Sequence, residues 1–324
     1  MRFAAVFPGQ GSQCVAMGCD VAANSRAARG IFERAAAVLD YDLLEVQREG
    51  PDEKLRETEY SQPAIFTTNV ALYEAVGDEV EPVVTAGHSF GELCSLVVAH
   101  CLQFEEALRI VNERAKAMQH AAQLARGGMS AVLGLEAAQV RDVLQQLQSA
   151  NVGRVSMANF NSPTQIVISG DVAAVQAATA PMLAAGAKRV VPLNVSGAWH
   201  SVLMEPAVDR LAAVVEKSHF AMPEFDVISN LDGRPYRDVA TIKANLVRSV
   251  VEEVRWHDTA QRLLSYDLDR VVEFGASAVL GPLMKRMLAS HEPGARFPAV
   301  SVVNDFAGVG KFRVEIERAT GATV

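Results

Sequence analysis

Apolar residues along this chain fall into two rhythms, short unbroken runs and helix-spaced stripes, and the two alternate. Phe3–Phe7 is the first run, and it enters a turn at Pro8-Gly9-Gln10-Gly11-Ser12-Gln13. Helical spacing follows, then a second short run at 83–86 and helical patterns over 90–100 and 104–124. Strand then helix, repeated, is the pattern of an α/β fold with a parallel sheet.

The middle of the chain has another rhythm. The pattern predicts strands at 129–135, 155–159, 165–169 and 189–195, with a turn at Asn161-Ser162-Pro163. Helices are predicted at 136–149 and 171–185, the second with Asp171 at its N-cap. That order, βαββαβ, is the ferredoxin-like unit. A small domain at 128–194 is therefore expected, inserted into a larger α/β domain formed by 1–127 and 195–324. Within the latter, helices are predicted at 203–217, 241–251 and 279–288, and strands at 225–228 and 271–274.

Composition narrows the classes. Half of the 324 residues are apolar and 21% are charged, enough for a sizeable core and without a disorder signature. Residues 1–12 lack the apolar core and cleavage site of a signal peptide. The most apolar stretch, 93–102, is shorter than the roughly 20 residues that cross a bilayer. Cys14, Cys19, Cys94 and Cys101 have no metal-ligand spacing and are read as reduced thiols of a cytoplasmic protein. A net charge of −8 argues against nucleic acid as the main partner. An acidic or phosphate-bearing partner must then find a local basic patch.

Gly87-His88-Ser89-Phe90-Gly91 fits G-x-S-x-G between a predicted strand and a predicted helix. A nucleophile on such a tight turn is held strained, and only glycine two positions to either side lets the chain pass. Ser89 then stands at a helix N-terminus, where free N–H groups and the dipole favour an oxyanion. Gly9-x-Gly11 is not a dinucleotide fingerprint, because Cys14 occupies the third glycine position.

The serine needs a base. Of the seven histidines, His88 is adjacent but points away across a sharp turn, while His100 and His120 lie in helical text. His219 and His291 are also available, and His200 and His257, which follow turn or strand segments late in the chain, where this chemistry places its base, rank first. The residues alone leave those last two open.

On the helix at 104–124, Phe104, Ala107, Leu108, Val111, Ala115 and Met118 form one apolar stripe. Arg114 sits at the edge of that stripe rather than with the polar face. It either awaits a substrate carboxylate or lays its stem on apolar surface with its head in water or in an ion pair.

These residues, in this order and spacing, resemble the malonyl-CoA:acyl carrier protein transacylases and the acyltransferases of polyketide synthases. The resemblance is carried by Phe7–Gln13, Gly87–Glu92, Arg114, Asn159-Phe160-Asn161-Ser162-Pro163 and Ser196-Gly197-Ala198-Trp199-His200, and it spans residues 1–300. It implies an α/β-hydrolase-like large domain with a ferredoxin-like insert. It also implies Ser89 as nucleophile, His200 as base, and the N–H groups of Gln10 and Phe90 as the oxyanion hole. Arg114 matches the residue that holds the malonyl carboxylate, and Gln62 a pocket glutamine. A backbone carbonyl orients the base in this family, and the matching position is Arg255. The implied partners are malonyl-CoA, as substrate, and an acyl carrier protein whose phosphopantetheine is the acceptor; no metal or redox cofactor is implied.

Phe90, where discrete transacylases often have leucine, is expected to narrow or reshape the acyl pocket. Trp199 supports malonyl over methylmalonyl. Gly275-Ala276-Ser277 replaces the family's Gly-Pro-Gly and is expected to alter a surface turn alone. The segment from Ser229 to Tyr236 leans toward the polyketide enzymes over fatty acid synthesis. Lys188-Arg189 and Lys285-Arg286 are candidate contacts for an acidic carrier, and a monomer is expected. The competing readings are a proofreading thioester hydrolase and a non-catalytic docking subunit of a synthase complex.

Overall fold

A computed structural model describes residues 1–77, 80–288 and 297–320, with no account of the Thr320 side chain. His291 lies outside the described residues. The described strands are β1 (Phe3–Phe7), β2 (Val84–Gly87), β3 (Gly127–Leu133), β4 (Val155–Ser162), β5 (Gln165–Asp171), β6 (Arg189–Pro192), β7 (Asp226–Ile228), β8 (Arg270–Phe274) and β9 (Ala299–Val303).

Five of them make a sheet in the order β7-β2-β1-β8-β9, and every neighbouring pair in it is parallel. All five residues of β1 are buried. That follows from a sheet covered on both faces, where a strand reads as an unbroken apolar run. Phe3, Ala5 and Phe7 enter one core cluster, and Ala4 and Val6 enter the other. The edge strand β9 and the final helix Phe306–Thr320 are additions that the hydrophobic pattern did not single out.

The other four strands form an antiparallel sheet in the order β4-β5-β3-β6. Numbered within the unit this is 2-3-1-4, the ferredoxin-like order expected from the sequence. Ile166 and Ile168 bury one face of β5 under the helix Ala137–Ser149, while Val167 on the other face joins the core of the large sheet.

Local differences have local causes. β4 continues to Ser162, past the predicted end at 159, with register shifts at Met157/Asn159 and Phe160/Ser162. Such bulges re-aim side chains. The helix predicted at 171–185 is broken into Val172–Ala177 and Thr179–Ala184. Pro181 explains the break, since its ring meets the carbonyl four residues back. Asp171 precedes that helix but gives its carboxylate to the Arg154 N–H at 2.8 Å instead of capping. The helix predicted from 203 begins as a 3₁₀ turn, Val202–Ala207, with Pro206 inside it.

β4 of the antiparallel sheet is tied at Val254 to the segment that leads into the helix Trp256–Leu264. The Val254 N–H donates to Ala158 O at 2.8 Å, and its carbonyl accepts from Phe160 N at 2.8 Å. Among the described residues, no helix is long and apolar enough to cross a membrane.

Candidate active site

Ser89 lies between β2 and the helix Gly91–Val98 with φ of +55°. A Cβ at Gly87 would stand 1.9 Å from the Gly91 carbonyl carbon, and one at Gly91 would stand 2.3 Å from Phe7 O. Glycine is obligatory at both. Gly9 is equally confined, because a Cβ there would meet His88 O at 2.6 Å. This contact brings the turn carrying Gln10 against the elbow. Among the described residues, the N–H groups of Gln10 and Phe90 make no backbone hydrogen bond.

His200, 4% exposed, stands with Nε2 2.9 Å from Ser89 Oγ. Its Nδ1 lies 2.6 Å from Ser249 O. A carbonyl only accepts, so Nδ1 carries the proton and Nε2 is free to accept the serine proton. Burial, and then the nearby Arg114 charge, lower the imidazole to about 3. His257 instead packs its ring 4.7 Å from Phe160, and His88 pairs with Asn161 Oδ1 at 2.9 Å. His100 falls just past its helix in an exposed position, and His120 and His219 are exposed.

The carbonyl behind the His200 imidazole corrects one expectation. It belongs to Ser249, not Arg255. The Arg255 carbonyl accepts the Thr259 N–H at 3.0 Å and so starts the helix Trp256–Leu264. Its side chain pairs with Asp258 at 2.6 Å near the surface. Ser249, following the helix Val239–Arg248, carries no motif of its own, so composition could not flag it.

Arg114 is 2% exposed. It donates to Gln62 Oε1 at 2.8 Å and to Ser89 Oγ at 3.1 Å. No carboxylate lies within ion-pair distance of it among the described residues. Burial lowers its pKa to about 10, which leaves it charged at neutral pH. Of the two readings of Arg114, the solvated head and the structural ion pair are thereby removed.

Gln10, Gln62, Ser89, Arg114, Trp199 and His200 line one cavity of about 660 Å³. Phe90 does not. It is 2% exposed, with its ring 5.8 Å from the Arg114 guanidinium, so it supports the arginine rather than narrowing the cavity. The Gly275–Ser277 turn also differs from expectation. Gly275 packs against the Pro8 ring, and Ser277 Oγ donates to Ser12 O at 3.0 Å. It is a buttress for the Gln10 turn, not a surface detail.

Residues 5–320 match the acyl transferase domain family. The malonyl CoA-acyl carrier protein transacylase of Salmonella typhimurium is 40% identical over 309 residues, 93% of this chain and 99% of that protein. Its counterpart in Haemophilus influenzae is 37% identical over 318 residues, 97% of this chain and 99% of that protein.

The chain belongs to the malonyl CoA-acyl carrier protein transacylase family.

Solved structures agree with this membership. An acyl carrier protein S-malonyltransferase from Vibrio cholerae superposes with a TM-score of 0.89 at 36% identity, covering 96% of this chain and 100% of that one. A malonyl-transacylase in complex with a type II PKS acyl-carrier protein superposes with a TM-score of 0.90 at 35% identity, covering 97% and 100%. Within this transacylase family member, a second group of buried residues sits under the elbow and was not foreseen as part of the site. Asn230, Glu92 and Tyr236 are 1%, 3% and 5% exposed and hydrogen-bonded to one another. Glu92 and the segment from Ser229 to Tyr236 stood out in the sequence, but nothing there joined them to Ser89. All four cysteines are free thiols, two of them buried.

Proposed function

We propose that the protein moves a malonyl group from coenzyme A to the phosphopantetheine thiol of an acyl carrier protein, by a ping-pong reaction through a malonyl ester on Ser89. The observation that carries this reading is a buried arginine, with no carboxylate within ion-pair distance among the described residues, facing the same cavity as a serine–histidine pair. A carboxylated acyl group satisfies both at once.

Ser89 Oγ attacks the thioester carbonyl as its proton passes to His200 Nε2. The resulting imidazolium is held through Nδ1 by the Ser249 carbonyl. The N–H groups of Gln10 and Phe90 receive the oxyanion, each worth about 3 kcal/mol by the usual cost of losing such a donor. The C–S bond breaks, His200 returns the proton to the leaving thiolate, and the ester remains with its carboxylate on Arg114. In the second half the carrier thiol gives its proton to His200 and attacks the ester. Malonyl leaves as the new thioester, and Ser89 recovers its proton.

The same proposal divides the chain into a large domain, 1–127 with 195–324, and a small one, 128–194. The separate core of the antiparallel sheet supports that division. Lys188, Arg189, Lys285 and Arg286 are exposed and are offered as contacts for an acidic carrier. Polyketide synthesis is the pathway favoured by the segment from Ser229 to Tyr236, and a cytoplasmic monomer is the form proposed.

The test is intact-protein mass after brief exposure to malonyl-, methylmalonyl- or acetyl-CoA, followed by a fatty-acid or polyketide carrier. A malonyl adduct that needs Ser89 and moves to the carrier is the expected result. An adduct released as free acid faster than it transfers would replace the transferase with a hydrolase. The preferred carrier decides the pathway.

A further inference from the structure

Two groups of the Ser89 backbone are held by one side chain. Asn230 Oδ1 accepts the Ser89 N–H at 3.1 Å, and Asn230 Nδ2 donates to the Ser89 carbonyl at 3.1 Å. An amide side chain is here paired with a residue's own N–H and C=O. We infer that Asn230, locked in orientation by Glu92, is the positioning residue that holds Ser89 in its reactive conformation and keeps its N–H out of the oxyanion hole. The inference rests on Ser89 being the nucleophile.

The orientation of the amide is determined by its neighbours. Glu92 accepts both Asn230 Nδ2 and, at 2.8 Å, the Asn230 N–H, while the Tyr236 hydroxyl bonds its other oxygen. The Ser89 carbonyl only accepts, so the NH₂ end of Asn230 must face it, with Glu92 Oε2 beside it. That leaves Oδ1 facing the Ser89 N–H. The Asn230 carbonyl is held as well, by the Arg255 N–H at 2.8 Å. The amide therefore has a single satisfied orientation.

The clamp acts where the chain needs it. A serine at φ of +55° is in a sparsely populated region and persists only when its surroundings impose it. A peptide rotation there would swing Oγ away from His200 Nε2 and turn a third N–H toward the oxyanion. Neither Asn230, Glu92 nor Tyr236 lines the cavity, so none of them contacts the acyl group. Their effect should fall on the reactivity of Ser89 and leave substrate affinity untouched.

A fluorophosphonate probe separates this inference from the proposed reaction, because it labels a reactive serine without any malonyl or carrier. Labelling at Ser89 is read by intact-protein mass, with circular dichroism as the check on folding. If the wild type is not labelled at Ser89, the nucleophile assignment falls, whatever Asn230 does. If it is labelled, Asn230→Ala should slow labelling by about tenfold or more, the scale of a small misplacement of a reacting group, with KM for malonyl-CoA unchanged. Asn230→Asp keeps the volume but offers the Ser89 carbonyl no donor. It should fail similarly and decides the matter if the alanine variant does not fold. The double variant Asn230→Ala/Glu92→Gln should label no more slowly than Asn230→Ala, since Glu92 acts through Asn230. A folded Asn230 variant labelled at the wild-type rate would overturn the inference, as would losses in the double variant that simply add.

Discussion

Arg114 and Gln62 meet at 2.8 Å, guanidinium to amide oxygen, deep in the cavity. The amide satisfies part of the arginine's hydrogen bonding without cancelling its charge. A buried cation hydrogen-bonded to a neutral amide keeps its charge for an incoming anion.

Replacing Arg114 with Ala should therefore depress malonyl transfer by on the order of 100-fold, the equivalent of a lost charge-assisted pair. Acetyl transfer should fall far less, though not to zero effect, because Arg114 also donates to Ser89 Oγ at 3.1 Å. Parallel rates with malonyl- and acetyl-CoA measure this. Equal losses on both would end the carboxylate-clamp role.

The pH profile should be displaced. A histidine at its usual value, roughly 6.5, would lose base activity just below neutrality. His200, lowered to about 3, stays neutral well below that. Transfer should persist as pH falls to about 5, with an acid limb below the ordinary histidine range. The same shift acts on stability. Between about 3 and the unfolded value the unfolded chain binds the extra proton, so the folded state is favoured above that window and loses this contribution as pH falls through it. Thermal melts across the window should show Tm dropping toward acid.

Because the orienting carbonyl is main-chain, Ser249→Ala should keep transfer within about twofold. Arg255→Ala should do the same, since a half-exposed pair such as Arg255–Asp258 is worth about 0–1 kcal/mol. Steady-state kinetics on the two variants test that neither side chain takes part. A collapse of kcat in either one would show that a side chain, and not the main chain alone, serves the histidine.

Two glycines should separate close approach from backbone strain. Gly87→Ala has no room, with its Cβ 1.9 Å from the Gly91 carbonyl carbon, and soluble folded protein should not be recovered. Gly11→Ala has open space but φ of +105°, so it should fold and lose only about 1–3 kcal/mol. Denaturant titration of the second variant and expression of the first provide the comparison.

The parts legible in the sequence were those whose chemistry is carried by side chains in a local pattern. The elbow needs glycines at fixed offsets, the first strand is an unbroken apolar run, and Arg114 interrupts a helical stripe. The parts that escaped depend on main-chain atoms or on residues distant in sequence. Ser249 contributes a carbonyl, which every residue possesses. Asn230 reaches Ser89 across 141 positions. The role of Phe90 depended on which way the side chain leaves the turn, and it leaves away from the cavity. His257 and His200 looked alike until folding turned one toward Phe160.

The junction at Val254 carries a further consequence. Two backbone bonds there, and the His88–Asn161 contact beside the elbow, tie the antiparallel sheet to the catalytic wall. A clamshell motion would break all three together, so the cavity is expected to keep a constant bore. An acyl group wider than that bore should then be refused for want of room. Crystals grown with and without malonyl-CoA should superpose across this seam, while a hinge opening there would show the bore to be adjustable.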